Sequence, residues 1–400
     1  MKQLTRLFIP ICLETLFYML SGMVDTLMLS AVGDYAVGAV GTANSYIGIF
    51  IIMFSIISSG MVSVMTQNIG AGRPGVAYQA RQLGLLFNAV AGVLMAVFLF
   101  SGAGAILRMV GIADALYEPA LIYLKIVGGG CILNAVIPIF SSYLRAFGYT
   151  KQPLYATIVG NIANFVMNAV FLFVLHKGVA GVATATVISK ILNLCIVLYF
   201  SHKLISAKNS TERIANKTVL GQIVKVGLPS ACETALYNVA MMLVIRFLNQ
   251  MDAEGLNVTA RSYTATISNF SYCVGAALAQ ANAIMTGWHI GAGELEECDR
   301  GTKRAAFVGV CVAVCMETAI VLGSGFIMPL FTDNPEMTAL VRKLLAIDIV
   351  LEIGRVTNLV FGQALKTSGD AVFPAVIAAV FMFVFAVGGT WLFGISMGLM

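Results

Sequence analysis

Charge is what this sequence lacks most. Only 11% of its 400 residues are Asp, Glu, Lys or Arg, against roughly 25% in ordinary soluble domains. With 59% hydrophobic residues and a mean hydropathy of +0.90, that scarcity excludes a water-soluble globular domain. Histidine occurs three times, at His176, His202 and His289, always near the end of an apolar run and never as His-x-x-x-His. An intramembrane metalloenzyme therefore has no ligand pattern to draw on. The eight cysteines form no Cys-x-x-Cys pair, and most lie inside apolar runs, so they read as reduced packing residues rather than a disulfide framework or metal site. No Gly-Lys-Ser/Thr occurs, which removes a nucleotide-binding loop and any ATP-driven step. Basic residues never form a run, so the net charge of +5 does not point to nucleic acid. No cofactor is expected.

Between the sparse charges lie eleven apolar runs, at 7–30, 36–66, 80–102, 118–140, 154–175, 179–201, 223–249, 256–286, 303–328, 339–363 and 374–398. Each is long enough for a hydrocarbon core that needs about 20 helical residues. The runs are continuously apolar rather than alternating, so they predict spanning helices and not barrel strands. The first begins behind Lys2 and Arg6 without a small-residue cleavage site and reads as a retained anchor. Of the 24 Lys and Arg, fifteen fall on segments on the N-terminal side and seven on the opposite side, with Lys190 and Arg355 inside spans. The positive-inside rule then places the N-terminus in the cytoplasm. Acidic residues on the far side include Asp34, Asp114, Asp252, Glu254 and Asp333.

The one long polar stretch, 202–222, divides a first lobe of six spans (1–201) from a second of five (223–400). Six spans return the chain to its starting side, so the lobes are expected to be parallel repeats about an axis along the membrane normal. A twelfth span is missing from this pattern, and the sequence reads as truncated before it. The expected fold class is an all-α polytopic membrane protein of two pseudo-symmetric lobes.

Sequence repetition supports this. Ile9-Pro10-Ile11-Cys12-Leu13-Glu14-Thr15 returns as Leu228-Pro229-Ser230-Ala231-Cys232-Glu233-Thr234, a displacement of 229 − 10 = 219. Gln67-Asn68-Ile69-Gly70-Ala71-Gly72 returns as Trp288-His289-Ile290-Gly291-Ala292-Gly293, and Leu144-Arg145-x-x-Gly148 as Leu365-Lys366-x-x-Gly369, each displaced by 291 − 70 = 369 − 148 = 221. Displacement by about half the chain marks an internal repeat. Two like halves in a membrane make a cleft between them, where carriers place their cargo.

These residues, with Val24-Asp25-Thr26, Gly227-x-Pro229, Glu352-Ile353-Gly354-Arg355-x-x-Asn358 and Ala364 to Asp370, resemble the MATE family, the multidrug and toxic compound extrusion transporters of a superfamily that includes lipid-linked oligosaccharide flippases. The resemblance covers the whole chain. It implies a bacterial cytoplasmic-membrane antiporter, twelve helices in two lobes, and export of organic, mostly cationic amphiphilic compounds against inward H⁺ or Na⁺ flow. Two positions depart from the family pattern: Asn168 stands where many members have Asp, and Trp288 where the second-half Gln is usual.

Asp25 is the leading candidate for the coupling ion, because an intramembrane carboxylate is costly in lipid and usually faces the bundle interior. The alternative is a snorkelling residue near the end of its span. Asn161, Asn164 and Asn168 at i, i+3 and i+7 form one polar stripe, able to ligate Na⁺, hydrogen-bond a carboxylate or simply bridge helices. Thr186 matches a family position in the same cavity. The repeat mates Glu14 and Glu233 suit a cationic cargo or bond neighbouring helices, and Tyr18, Tyr46, Tyr237 and Met241 are candidate apolar lining. Glu317, Asp348, Glu352 and Arg355 are charges inside second-lobe spans; Glu352 and Arg355 are spaced to pair, and Glu317 looks to Arg355 or Arg261. A lipid-linked precursor flippase is the rival reading, disfavoured because the cleft candidates are acidic. An intramembrane enzyme and a passive channel are further rivals. A small organic substrate, membrane lipid and a monomeric state complete the expectation.

Overall fold

A computed structural model describes residues 2–109, 111–205, 212–251, 256–330, 332 and 334–397. All eleven expected runs fall on helices. The first half holds α1 (Lys2–Ser30), α2 (Asp34–Gly70), α3 (Pro74–Met109), α4 (Asp114–Gly129), α5 (Cys131–Ala146), α6 (Lys151–Ala169) and α7 (Gly178–Leu204). The second half holds α8 (Asn216–Met251), α9 (Leu256–Ala292), α10 (Leu295–Ile327), α11 (Pro335–Ser368) and α12 (Val372–Phe381). α4 and α5 meet at a 41° bend around Gly130, and α6 and α12 continue as π-helical turns over Val170–Val174 and over Met382–Val387 and Thr390–Ser396.

Among the described residues, eight helices are long and apolar enough to cross a membrane, or nine if the bent pair is one span. α9 and α11 fall outside that set. They are the two that pack along each other in the second half, and they bring Ser268, Ser271, Asp348 and Glu352 into its interior. Around the bundle, Leu94, Phe98, Phe326 and Val384 are exposed, an apolar perimeter that a lipid phase would cover.

The expected 202–222 linker is shorter than its polar composition suggested. α7 runs to Leu204 and α8 starts at Asn216; the side-chain amide of Gln79 donates to the Ile214 carbonyl at 2.7 Å and accepts from its amide at 3.2 Å. Residues 206–211, with Lys208, lie outside the described residues, as do Asp252, Glu254 and Asp333.

On the side carrying residue 2, the repeated glycine motifs end helices in the same way. Gly72 (φ +73°) and Gly293 (φ +78°) are left-handed, as are Gly148 (φ +82°) and Gly369 (φ +102°). After each comes a backbone amide bonded five residues back: Arg73 to Asn68 at 2.7 Å, Glu294 to His289 at 2.8 Å, Tyr149 to Leu144 at 2.9 Å and Asp370 to Leu365 at 3.1 Å. This is the Schellman closure, which satisfies orphan carbonyls and needs a residue without a Cβ at the left-handed position.

The two halves meet on this same side. Gly60 of α2 lies against the Ile223 carbonyl and the Gly227 amide of α8, and Gly227 against the Ile56 carbonyl; at the ends of α2 and α9, Gly70 abuts Trp288 and Gly291 abuts Gln67. Leu4, Leu7 and Ile11 of α1 share a core with Ala277, Leu278 and Ile284 of α9, and Val219 and Ile223 of α8 join the core of the first half. On the opposite side the described cores are separate: one draws only on residues 24–187, the other only on 256–345. The bundle is therefore closed at the N-terminal face and parted at the other.

Candidate functional site

A cavity of about 860 Å³ lies between the parted halves, lined from both. Asp25 on α1 reaches its wall, half-buried. Its Oδ1 accepts from Asn168 Nδ2 at 2.7 Å, and the same amide donates to Asn164 Oδ1 at 3.1 Å. Asn164 and Asn168 are buried, 5% and 0% exposed. Asn161 donates instead to the Phe17 carbonyl at 2.9 Å, tying α6 to α1. Asn161 and Asn164 line the cavity with Asp25, while Asn168 stands behind them. Asn168 Oδ1 is buried without a hydrogen-bond partner, so the cluster keeps an open oxygen beside the carboxylate. Thr186 also lines the cavity, its hydroxyl donating to the Val182 carbonyl at 2.9 Å.

Several wall residues escaped the sequence reading. Tyr123 lines the cavity near Asp25 and donates to Asn44 Oδ1 at 3.3 Å. Ser189, Lys190 and Asn193 follow Thr186 on α7 and face the same space. Their i, i+3, i+4, i+7 spacing was the available signal, hidden because a single Lys inside an apolar span counted only as an exception to loop charge.

The floor corrects the acidic-cleft expectation. Glu14 Oε1 pairs with Arg145 at 2.6 Å, and Glu233 Oε2 with Lys366 Nζ at 2.8 Å. The acids are repeat mates, and so are the bases, since 366 − 145 = 221. Each half thus builds the same neutralised pair at the last turn of its α5 or α11, where a cation also meets the negative end of the helix dipole. The cavity is lined by Arg145, Lys190 and Lys366 as well as by Glu14 and Asp25, so it is not an acidic cleft. Of the proposed aromatic and Met lining, Tyr18 reaches the cavity and Tyr46, Tyr237 and Met241 do not; Met241 Sδ instead contacts Arg261 at 3.1 Å.

The floor is also where the halves are latched. Gln67 donates to the Thr367 carbonyl, and Trp288 Nε1 donates to the Ala146 carbonyl at 2.9 Å. Both donors and both acceptors are repeat mates, displaced by 288 − 67 = 367 − 146 = 221. The departure at Trp288 therefore keeps the bond that Gln makes in the first half. Arg145 adds a bond across the seam to Gln280 Oε1 at 2.7 Å, and Ser63 one to the Thr367 carbonyl, also at 2.7 Å.

The second-half charges do not line this cavity. Arg355 bonds Glu352 and also Asp348 at 3.1 Å. Glu317 accepts from Ser268 at 3.0 Å, and its carboxylate lies within 4.8 Å of those of Asp348 and Glu352. Glu317 thus has Ser268 on α9 as its hydrogen-bond partner and shares its cluster with Arg355, one of the two expected partners, while Arg261 is engaged with Met241. Residues 394–398 read Gly-x-Ser-x-Gly, but 390–396 continue the final span as a π-helical turn, without the strand-to-helix elbow that a serine nucleophile needs.

A two-fold repeated membrane bundle, latched at one face around a central polar cavity, is the architecture of a carrier. The sequence profile of the MatE family matches residues 10–170 and 229–392, and the chain belongs to that family of transporters. A Bacillus subtilis (strain 168) protein named "Uncharacterized transporter YisQ" is 32% identical over 395 residues, covering 97% of this chain and 86% of its own length. Solved structures share the fold. A MATE transporter in the bent conformation superposes with a TM-score of 0.85 at 19% identity, over 99% of this chain and 88% of its own. An outward-facing multidrug resistance MATE family transporter gives 0.84 at 20% identity over 98% and 88%. A MOP superfamily transporter from Pyrococcus furiosus, described by a binding pocket of reverse polarity, gives 0.83 at 20% over 98% and 88%.

Proposed function

We propose that this protein is a secondary antiporter of a bacterial cytoplasmic membrane, acting as a monomer and exporting small organic compounds in exchange for H⁺ or Na⁺. Asp25 is the coupling residue. The observation that carries this reading is the contact of Asp25 with Asn168 and Asn164 on the cavity wall. A carboxylate held by amides can take a proton, or take Na⁺ with amide oxygens as further hard ligands. With the N-terminus in the cytoplasm, the latched face is internal and the cavity opens outward. Loading Asp25 from outside removes its charge, changes what the cavity binds, and biases the two lobes towards the alternative closure. No resident cofactor takes part.

The gradient sets the scale. One charge crossing 100 mV supplies about 2.3 kcal/mol, enough for a concentration ratio of roughly fifty per monovalent ion. Asp25→Asn in liposomes loaded with a fluorescent dye is the test. Wild-type protein should concentrate the dye when a pH or Na⁺ jump is imposed, and the ion whose jump works is the coupling ion. The variant should at most equilibrate it. Gradient-driven accumulation at the wild-type level by the variant would overturn the assignment.

A second reading, a flippase for lipid-linked precursors, gains from one observation: Arg145, Lys190 and Lys366 all face the cavity, where a pyrophosphate would need cations.

A further inference from the structure

Lys190 differs from every other cation of the cavity. Arg145 and Lys366 each hold a carboxylate at ion-pair distance. Lys190 forms no ion pair among the described residues; its Nζ donates to Asn134 Oδ1 at 2.8 Å, and its charge acts on Asp25 across the cavity wall. Around it stand amides with open valences. Asn134 Nδ2 is buried without a partner, and so is Asn193 Oδ1. All three residues line the cavity. A buried donor without a partner is destabilising unless something supplies the missing bond. Here an ammonium and an amide donor converge from α7 and α5 on one wall, an arrangement complementary to an oxyanion.

The charge count points the same way. The floor pairs cancel, which leaves Asp25 and Lys190 as the two charges of the cavity lining, of opposite sign, without an ion-pair contact among the described residues. A purely cationic cargo drawn to Asp25 would also feel the repulsion of Lys190 on the same cavity lining. A cargo carrying its own carboxylate would satisfy both.

We infer that Lys190, with the amide donor of Asn134, forms an anion subsite, and that the preferred cargo is a zwitterion whose basic end approaches Asp25 and whose carboxylate docks on Lys190. This rests on the central cavity being the cargo site. When a proton or Na⁺ displaces the basic end from Asp25, the carboxylate alone holds the cargo, which is then free to leave outward.

The test compares rhodamine B, zwitterionic at neutral pH, with its ethyl ester, a cation with the same ring system, by fluorescence anisotropy on the full chain in nanodiscs. A charge-assisted bond worth about 1.5–3 kcal/mol predicts at least about tenfold tighter binding of rhodamine B by the wild type. Lys190→Gln should bring the ratio to about one with ester affinity unchanged or improved. Asn134→Asp, which gives Lys190 an internal carboxylate partner and so stabilises its own fold, should do the same, whereas Lys190→Arg should keep the preference. Equal loss of both dyes in both variants, or a preference that survives them, would overturn the subsite. Inorganic pyrophosphate displacing rhodamine B at lower concentration than acetate would overturn the carboxylate assignment in favour of a phosphate-bearing lipid. Ester binding that Asp25→Asn leaves intact would overturn Asp25 as the site of the basic end and count against the antiporter reading, while the rhodamine B preference at Lys190 tests the anion subsite separately.

Discussion

In the first half, polar side chains of α1, α6 and α7 turn towards the central cavity. In the second half, Glu317, Asp348, Glu352 and Arg355 turn away from it into a closed cluster between α9, α10 and α11. The repeat gave both halves the same helices, the same glycine caps and the same floor ion pair, but it did not give them the same use for charge. In the second half Arg355 pairs with Asp348 and Glu352 along α11 itself and Glu317 of α10 bonds Ser268 of α9, so one guanidinium serves a cluster of three carboxylates turned away from the cavity. Where charge is left open to a cavity, as at Asp25 and Lys190, it is available to an exchanging ion or ligand. The duplicated scaffold and the unduplicated polar residues are thus separable, and mutation should separate them.

Arg355→Met should break this contrast if it is wrong. Removing one partner of a buried ion pair typically costs about 3–5 kcal/mol, so the thermal midpoint in detergent should drop sharply while coupling ratio per folded molecule stays at the wild-type value. A changed coupling ratio would mean that the second-half cluster belongs to the transport machinery. Asn168→Ala sharpens the contrast from the other side. Lost interhelical hydrogen bonds in membranes are worth about 0.6–2 kcal/mol, so the melting shift should be small, but the ion dependence of dye efflux should be strongly weakened because Asp25 loses its direct partner. The smallest net change is expected from a double swap at the floor. The swap Glu14→Arg with Arg145→Glu should recover most of the loss of about 3–5 kcal/mol caused by either single change, because this pair is largely buried, and the matching swap of Glu233 and Lys366 should behave alike. Unequal recovery, measured by thermal shift, would show that the repeat symmetry of the two pairs is only geometric.

The spans, the repeat and the Asp25 and Asn positions were legible because each is a local pattern: an apolar run, a displaced motif, a stripe at helical spacing. Pairing was not. For Glu14 and Glu233 the sequence leaves open cargo binding and a bond to a neighbouring helix; the structure shows the second, with partners 131 and 133 residues on in the chain (145 − 14 and 366 − 233) that the displaced Leu144-Arg145 and Leu365-Lys366 motifs mark without naming as partners. Trp288 looked like a lost Gln because residue identity, rather than the N–H it presents, was compared. Tyr46, Tyr237 and Met241 show the weakness of aromatic and Met content as a signal in a chain rich in both.

The close approach of Gly60, Gly227, Gly70 and Gly291 has a kinetic consequence. Side chains interlocked across an interface must be withdrawn one by one before two bodies can separate. Backbones that touch through bare α-carbons hold no such knobs, so α2 can slide off α8 and α9 once a handful of donors let go. Along the glycine contacts this face is bolted rather than glued, and the resistance to parting lies instead in the apolar core that α1 shares with α9.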